Sequence, residues 1–209
     1  MLRERREPEK WLFTNALMRQ AILAIGEVMG KRGLKVVLRQ AGLERYVDEL
    51  PPNDLEQGVS TAEYATLNQA VEEFYGRASK GMLKRIGRAS FRYGIEEQAT
   101  LMGVAGTALK LMSQRTRIKF ILNQMAKSLM EVNEETYIEI QETPEGFVFA
   151  DFTCGVCCCR TADHPICHLY IGSISEAVKW ATGHDYEVRE IECRAMGTEA
   201  CRFLVAERE

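Results

Sequence analysis

The sequence predicts an α+β fold, with N-terminal helices packed on a C-terminal antiparallel sheet. Three observations carry this. Apolar residues recur at helical spacing through the first two thirds of the chain, the period changes from about 3.6 to 2 near Asn133, and all seven cysteines fall at or after Cys154. Runs of helices followed by runs of strands belong to the α+β class. At 209 residues the chain reads as one domain, mainly helical over 1–133 and sheet-forming over 134–209. A domain of this size buries roughly 70% of its unfolded surface.

The elements follow in order. Phe13, Leu17, Ala21, Ile25 and Val28 lay one apolar stripe along a first helix. Gly30 and Gly33 interrupt it, and a shorter helical piece runs on to Gly42. The stretch from Val47 to Gly58 holds Pro51, Pro52, Asn53 and Asp54, which is turn chemistry. Ser60 and Glu63 form a capping box ahead of Tyr64, Leu67, Val71, Phe74 and Tyr75. Leu101, Ala105, Ala108 and Met112 mark a third stripe; Ile118, Ile121, Leu122, Met125, Leu129 and Val132 mark a fourth. Beyond Asn133, Ile138 and Ile140 alternate with polar residues, Thr143–Gly146 is a turn, and Phe147–Phe152 is apolar on both faces. Ser173 and Glu176 make a second capping box, which predicts a helix from Ser173 to a stop at Gly183. Tyr186–Cys193 and Cys201–Val205 are the last strands, joined by a short turn around Gly197.

Composition narrows the function. Lys and Arg number 27 against 30 Asp and Glu, a net charge of −3, so nothing draws the whole chain to nucleic acid or anionic membrane. From Arg77 to Lys119 there are ten basic and two acidic residues. Such a run is usually the solvated face of helices; the sharper reading is an anion-binding or partner-docking surface. Aromatic interleaving is sparse (Phe91, Tyr93), so nucleic-acid binding is a minor reading. The longest uncharged stretch, Gln98–Leu109, would reach about 18 Å as a helix, short of a ~30 Å hydrocarbon core. No apolar stretch backs the basic residues near Met1, so no cleaved signal and no transmembrane segment are expected. The expectation is a soluble, cytoplasmic protein.

Several enzyme signatures are missing: GxGxxG after a strand, GxxxxGK[ST], GxSxG and HExxH. Gly103 and Gly106 read as close helix packing. His164, His168 and His184 lie near the cysteines, but no orienting residue completes a Cys–His pair, and no catalytic residue is assigned.

The cysteines carry the local chemistry. An odd count argues against a disulfide scaffold. If the last turn centres on Gly197, Cys193 and Cys201 face each other with Cβ atoms roughly 4.5–5.5 Å apart. Two such thiolates can share a metal, Cys167 can supply a third sulfur, and Glu190 or Glu192 a carboxylate. Either glutamate is an odd number of residues from Cys193, so a regular strand would turn it to the opposite face; a β-bulge or the strand's end must break the alternation. Buried structural thiols are a reading of comparable weight, and a Cys193–Cys201 disulfide a lesser one. Cys154 and Cys157 form a lone CxxC beside Cys158 and Cys159, read first as buried thiols and second as a metal or redox pair.

Glu190-Ile191-Glu192-Cys193, Gly197 and Cys201-Arg202-Phe203, with Cys167 upstream, resemble the signature of the 4-vinyl reductase domain family. That resemblance implies an α+β fold like the TRAPP subunits, usually dimeric, around a mostly apolar small-molecule pocket. It also implies a zinc site on Cys167, Glu190, Cys193 and Cys201. The resulting expectation is a homodimeric binding protein for a hydrocarbon, aromatic or tetrapyrrole-like ligand, with a structural zinc and no open coordination position. Phe147, Phe149, Tyr170, Ile171 and Val188 are the candidate pocket walls, from their apolar pattern. The alternatives are a bacteriochlorophyll-pathway vinyl reductase or its substrate carrier, and a TRAPP-like interaction module without ligand.

Overall fold

The computed structural model describes residues 7–97 and 112–206. Leu12–Thr14 (β1) pairs antiparallel with Gln57–Ser60 (β2). Between them runs Asn15–Gln40 (α1), which is two helices meeting at Gly30. There φ is 70° and ψ 166°, a conformation glycine adopts at little cost, so the break expected from the sequence is real. Thr61–Tyr75 (α2) starts at the expected capping box: Glu63 N donates to Ser60 Oγ at 3.2 Å and Ser60 N donates to Glu63 Oε2 at 2.9 Å.

Ser79–Glu97 (α3) and Gln114–Val132 (α4) follow. The stripe predicted at Leu101, Ala105 and Ala108, and the Gly103–Gly106 pair, lie outside the described residues. The basic run is largely partnered by acids from other elements. Arg88 reaches Glu176 at 3.0 Å and Asp185 at 3.3 Å, Arg92 reaches Glu27 at 2.6 Å, and Arg115 and Lys119 both meet Glu142. These contacts favour the solvated-face reading of the run over a docking surface.

The sheet is Ile138–Thr143 (β3), Gly146–Asp151 (β4), Val188–Glu192 (β5) and Cys201–Ala206 (β6), in the order β3-β4-β6-β5, all antiparallel. All of β4 is buried, as its two-sided apolar run predicts. Phe147 and Phe149 join the main core, while Val148 and Ala150 pack with Leu204 and Phe152 in a smaller cluster. The main core runs from Met18 to Val205 and unites helices and sheet.

His168–Thr182 (α5) corrects one expectation. The helix begins five residues before Ser173, with Cys167 at its N-cap, and stops at left-handed Gly183 as expected. Ser173 is not a cap: its hydroxyl donates to Gly87 O at 3.1 Å, and Glu176 pairs with Arg88. Burial of Leu169, Tyr170 and Ile171 extends the helix past the local capping signal.

Helices α3 and α5 cross at Gly87 and Gly172. A Cβ on Gly87 would lie 1.9 Å from Leu169 O, and one on Gly172 would lie 2.1 Å from Lys84 O. Only glycine lets these two backbones meet. Gly172→Ala should therefore destabilise the fold by about 1–3 kcal/mol or more, through overpacking against backbone. Gly81→Ala, where an added Cβ meets open space, should be neutral or up to about 1 kcal/mol stabilising. Urea midpoints of the two variants check this; equal midpoints would refute the close-crossing account.

Candidate metal centre and adjoining apolar pockets

Three segments converge on one buried group of sulfurs. The loop after β4 supplies Cys154 and Cys157, the N-cap of α5 supplies Cys167, and the β5–β6 connection supplies Cys193 and Cys201. Cys167 Sγ lies 3.7 Å from Cys154 Sγ, 3.8 Å from Cys193 Sγ and 3.7 Å from Cys201 Sγ; Cys157 Sγ is 3.4 Å from Cys201 Sγ. Sulfurs held about 2.3 Å from a tetrahedral zinc are about 3.8 Å apart, so these separations fit thiolates around a cation. No disulfide joins them.

The four residues named by the family resemblance come together here: Cys167, Glu190, Cys193 and Cys201 form one candidate donor set, all within 4.8 Å of one another. The parity difficulty is resolved by the backbone. Glu190 pairs with Phe203 and Glu192 with Arg202, so the register shifts at Ile191 and the alternation resets before Cys193. Glu192 is engaged elsewhere, accepting from Arg202 Nε at 2.9 Å. Glu190 Oε2 accepts from Cys167 N at 2.8 Å, while its Oε1 is buried without a hydrogen-bond partner. Burial, and then the neighbouring Cys193, push the Glu190 carboxyl up to about 8. A cation would satisfy that oxygen and reverse the shift.

Cys154 and Cys157 belong to the same cluster, and a reading of their spacing alone ranks them too low. Cys154, Cys157, Cys167 and Cys201 form a second candidate set, all four buried, able to hold a metal ion. The signal in the sequence is the CxxC spacing. Its weight depends on two further thiols that only the fold brings near. Without a cation the protons are shared unevenly. Hydrogen bonds from Cys157, Cys167 and Cys201 hold the Cys154 thiol well below its ordinary value. Burial first, then the surrounding thiols, push Cys167 well above it. Cys158 and Cys159 stand outside the cluster; Cys158 contacts Thr61 Oγ1 at 3.5 Å and Cys159 is exposed.

Beside the cluster lie two adjoining apolar pockets. One, of about 140 Å³, is lined by Leu17, Ser90, Phe91, Met125, Leu129 and Ser173 among others. The second, of about 80 Å³, shares Leu17, Met125 and Leu129 and adds Tyr64, Asp151, Gly155, Val156 and Tyr170. Of the five wall residues expected from the sequence, Tyr170 lines this second pocket and Ile171 lines a separate open cleft. Phe147, Phe149 and Val188 line neither apolar pocket; they are core side chains, and Tyr170 stacks between Phe149 at 5.5 Å and Phe203 at 5.0 Å. The walls contributed by α1 and α4 are hidden in the sequence, because their residues sit in ordinary helical stripes.

The fold is that of H-NOX domains. An H-NOX structure described by heme redox potential and porphyrin distortion superposes with a TM-score of 0.62 at 13% identity, covering 94% of this chain and 95% of that one. An H-NOX protein from K. algicida in its Fe(II) unliganded form gives 0.59 at 10% identity, covering 94% and 97%. An oxygen-binding H-NOX domain related to soluble guanylate cyclases gives 0.58 at 12%, covering 91% and 92%. Residues 147–207 match the 4-vinyl reductase domain family, so the chain carries that domain, as the cysteine–glutamate signature implied. The matched span includes all four residues of the signature and excludes most of the pocket. No curated protein matches the chain.

Asp151 gives the pocket a titratable wall. Its Oδ1 accepts from Thr153 N at 2.8 Å and Thr153 Oγ1 at 2.9 Å, yet full burial raises the carboxyl to about 6. The folded state therefore holds this proton more tightly than the unfolded chain does. Its contribution to stability is present below about pH 4 and is lost as pH rises through about 6, on the order of 3 kcal/mol at most. Asp151→Asn should remove that component. Subtracting the variant's urea-derived stability from that of the wild type at pH 4 and pH 7 checks it; an unchanged difference would refute the shift.

Proposed function

We propose that this chain is a small-molecule binding protein for a largely apolar ligand, and that a structural zinc on Cys167, Glu190, Cys193 and Cys201 pins the β5–β6 connection to the start of α5. The observation that carries the reading is the pair of adjoining apolar pockets set directly beside the buried thiol cluster. The family match and the H-NOX fold support it, because the neighbouring structures include ligand-binding proteins. Four protein donors leave the zinc no open position, so its role is to hold structure.

Size favours a ligand of about one aromatic ring. Pockets for drug-sized ligands run to about 300–1,000 Å³, whereas an apolar cavity of about 150 Å³ holds benzene. The 140 Å³ pocket is of the second kind. Tyr170 and Asp151 offer the polar handle for a hydroxyl or amine on the ring. A haem or other tetrapyrrole fits less well: the volume is small, and His164, His168 and His184 line neither pocket to serve as an axial ligand. The size argument also counts against the vinyl reductase alternative and its tetrapyrrole carrier.

The chain is taken as one α+β domain over 1–209, acting as a homodimer in a reducing, cytoplasmic setting. The dimer rests on the family resemblance. Much of the helical apolar surface that suggests it is covered within the chain, by α3 against α1 and α5. No described helix is long and apolar enough to cross a membrane.

Two outcomes test the reading. Phenol or toluene at a hundred times its Kd should stabilise the protein by about 2.7 kcal/mol, read as a rise in Tm. Leu129→Trp, which fills the pocket, should weaken binding at least tenfold while leaving bound metal unchanged; equal binding would move the ligand elsewhere. Zinc should co-purify without chelator and be lost on Cys193→Ala or below about pH 5, since thiolate ligands must be deprotonated. Metal-free folded protein would refute the zinc, and a sedimenting monomer at micromolar concentration would refute the dimer.

A further inference from the structure

We propose that the cluster is built for two metal ions, not one, with Cys167 and Cys201 bridging them. The inference rests on the zinc site proposed above and adds a second ion to it. The six donors divide into two sets of four that share two members. Cys154 and Cys157 complete one set with Cys167 and Cys201; Glu190 and Cys193 complete the other. Two tetrahedra joined along one edge have this composition, and the Cys167–Cys201 separation of 3.7 Å is the shared edge. The distances outward from that edge fit on both sides: 3.7 Å to Cys154 and 3.4 Å to Cys157, against 3.8 Å to Cys193. Six donors around two zinc ions is the arrangement that gives Zn2Cys6 modules their name; here a carboxylate stands in for one thiolate.

The placement of Cys154 and Cys157 is itself constrained. Both thiols are buried, at 0% and 3% exposure. Their loop is pressed onto the N-terminal ribbon at Gly155, where a Cβ would lie 2.2 Å from the Phe13 ring. Arg160 at its far end meets Glu72 of α2 at 2.5 Å. The loop is therefore fixed from outside the cluster, and both its thiols still come within thiolate-edge distance of the bridging sulfurs. Charge favours the second ion as well. Five thiolates and a carboxylate bring six negative charges into the core, and a second divalent cation offsets two that the first leaves. The donors are mostly soft thiolates in fourfold sets, which suits zinc. Each thiol that binds gives its proton to solvent, and no electron is transferred.

The test uses the full chain, purified reduced and without chelator. Metal analysis should give two zinc ions per chain. Cys154→Ser/Cys157→Ser should hold one, Glu190→Gln/Cys193→Ser should also hold one, and Cys158→Ser should keep two. Cobalt titration of the wild-type chain reads the same point without any variant. Thiolate-to-cobalt absorption should rise through two equivalents, and magnetic moment per cobalt should fall as the second ion fills its site, because shared thiolates couple the ions. One zinc in the wild type that survives Cys154→Ser/Cys157→Ser but not Cys193→Ala overturns the second ion and leaves the structural zinc intact. Two cobalt ions without magnetic coupling overturn the bridges. No zinc and no cobalt band would overturn both the inference and the reading it rests on.

Discussion

Five thiols and one carboxylate buried at a single point are the constraint on which the C-terminal half depends. Unpaired polar groups in a core are costly, and a carboxylate oxygen without a donor is among the costlier ones. Glu190 Oε1 is in that position, in the middle of a group of sulfurs spaced as ligands are spaced. The loop after β4, the first turn of α5 and the β5–β6 connection meet only there. What satisfies the cluster therefore also sets how the sheet is joined to its central helix.

The helical half answers to a different rule, shape. Gly87 and Gly172 allow α3 and α5 to touch backbone to backbone, and Ser173 bonds across the contact. With α5 fixed at its start by the sulfurs and at its middle by this crossing, Tyr170 between them has little freedom. Its ring is packed by Phe149 and Phe203, and it is the residue shared by the core and the pocket.

Local chemistry is the part legible in the sequence. The Gly30 break, the Ser60–Glu63 box, the Thr143–Gly146 turn and the Gly183 stop each depend on a few adjacent residues, and each is where the residues place it. The start of α5 is not legible, because burial of Leu169 and Ile171 outweighs a capping signal at Ser173. The bulge at Ile191 can be anticipated only as something a glutamate ligand would require. Cys154 and Cys157 look ordinary for the same reason that the α1 and α4 pocket walls do. Their meaning lies in neighbours distant along the chain, and pattern in one segment does not report it.

Gly155 and Val156 lie between Cys154 and Cys157 in sequence and form part of the pocket wall in space. One dipeptide is thus in contact with the ligand's side and held at both ends by sulfurs of the cluster. Any molecule that occupies the pocket differently when this dipeptide shifts will alter the hold of those sulfurs on a cation, and the cation will alter the molecule's affinity by the same factor. The strength of that exchange is set by how far two residues can move against the Phe13 ring, which at Gly155 leaves no room even for a methyl group.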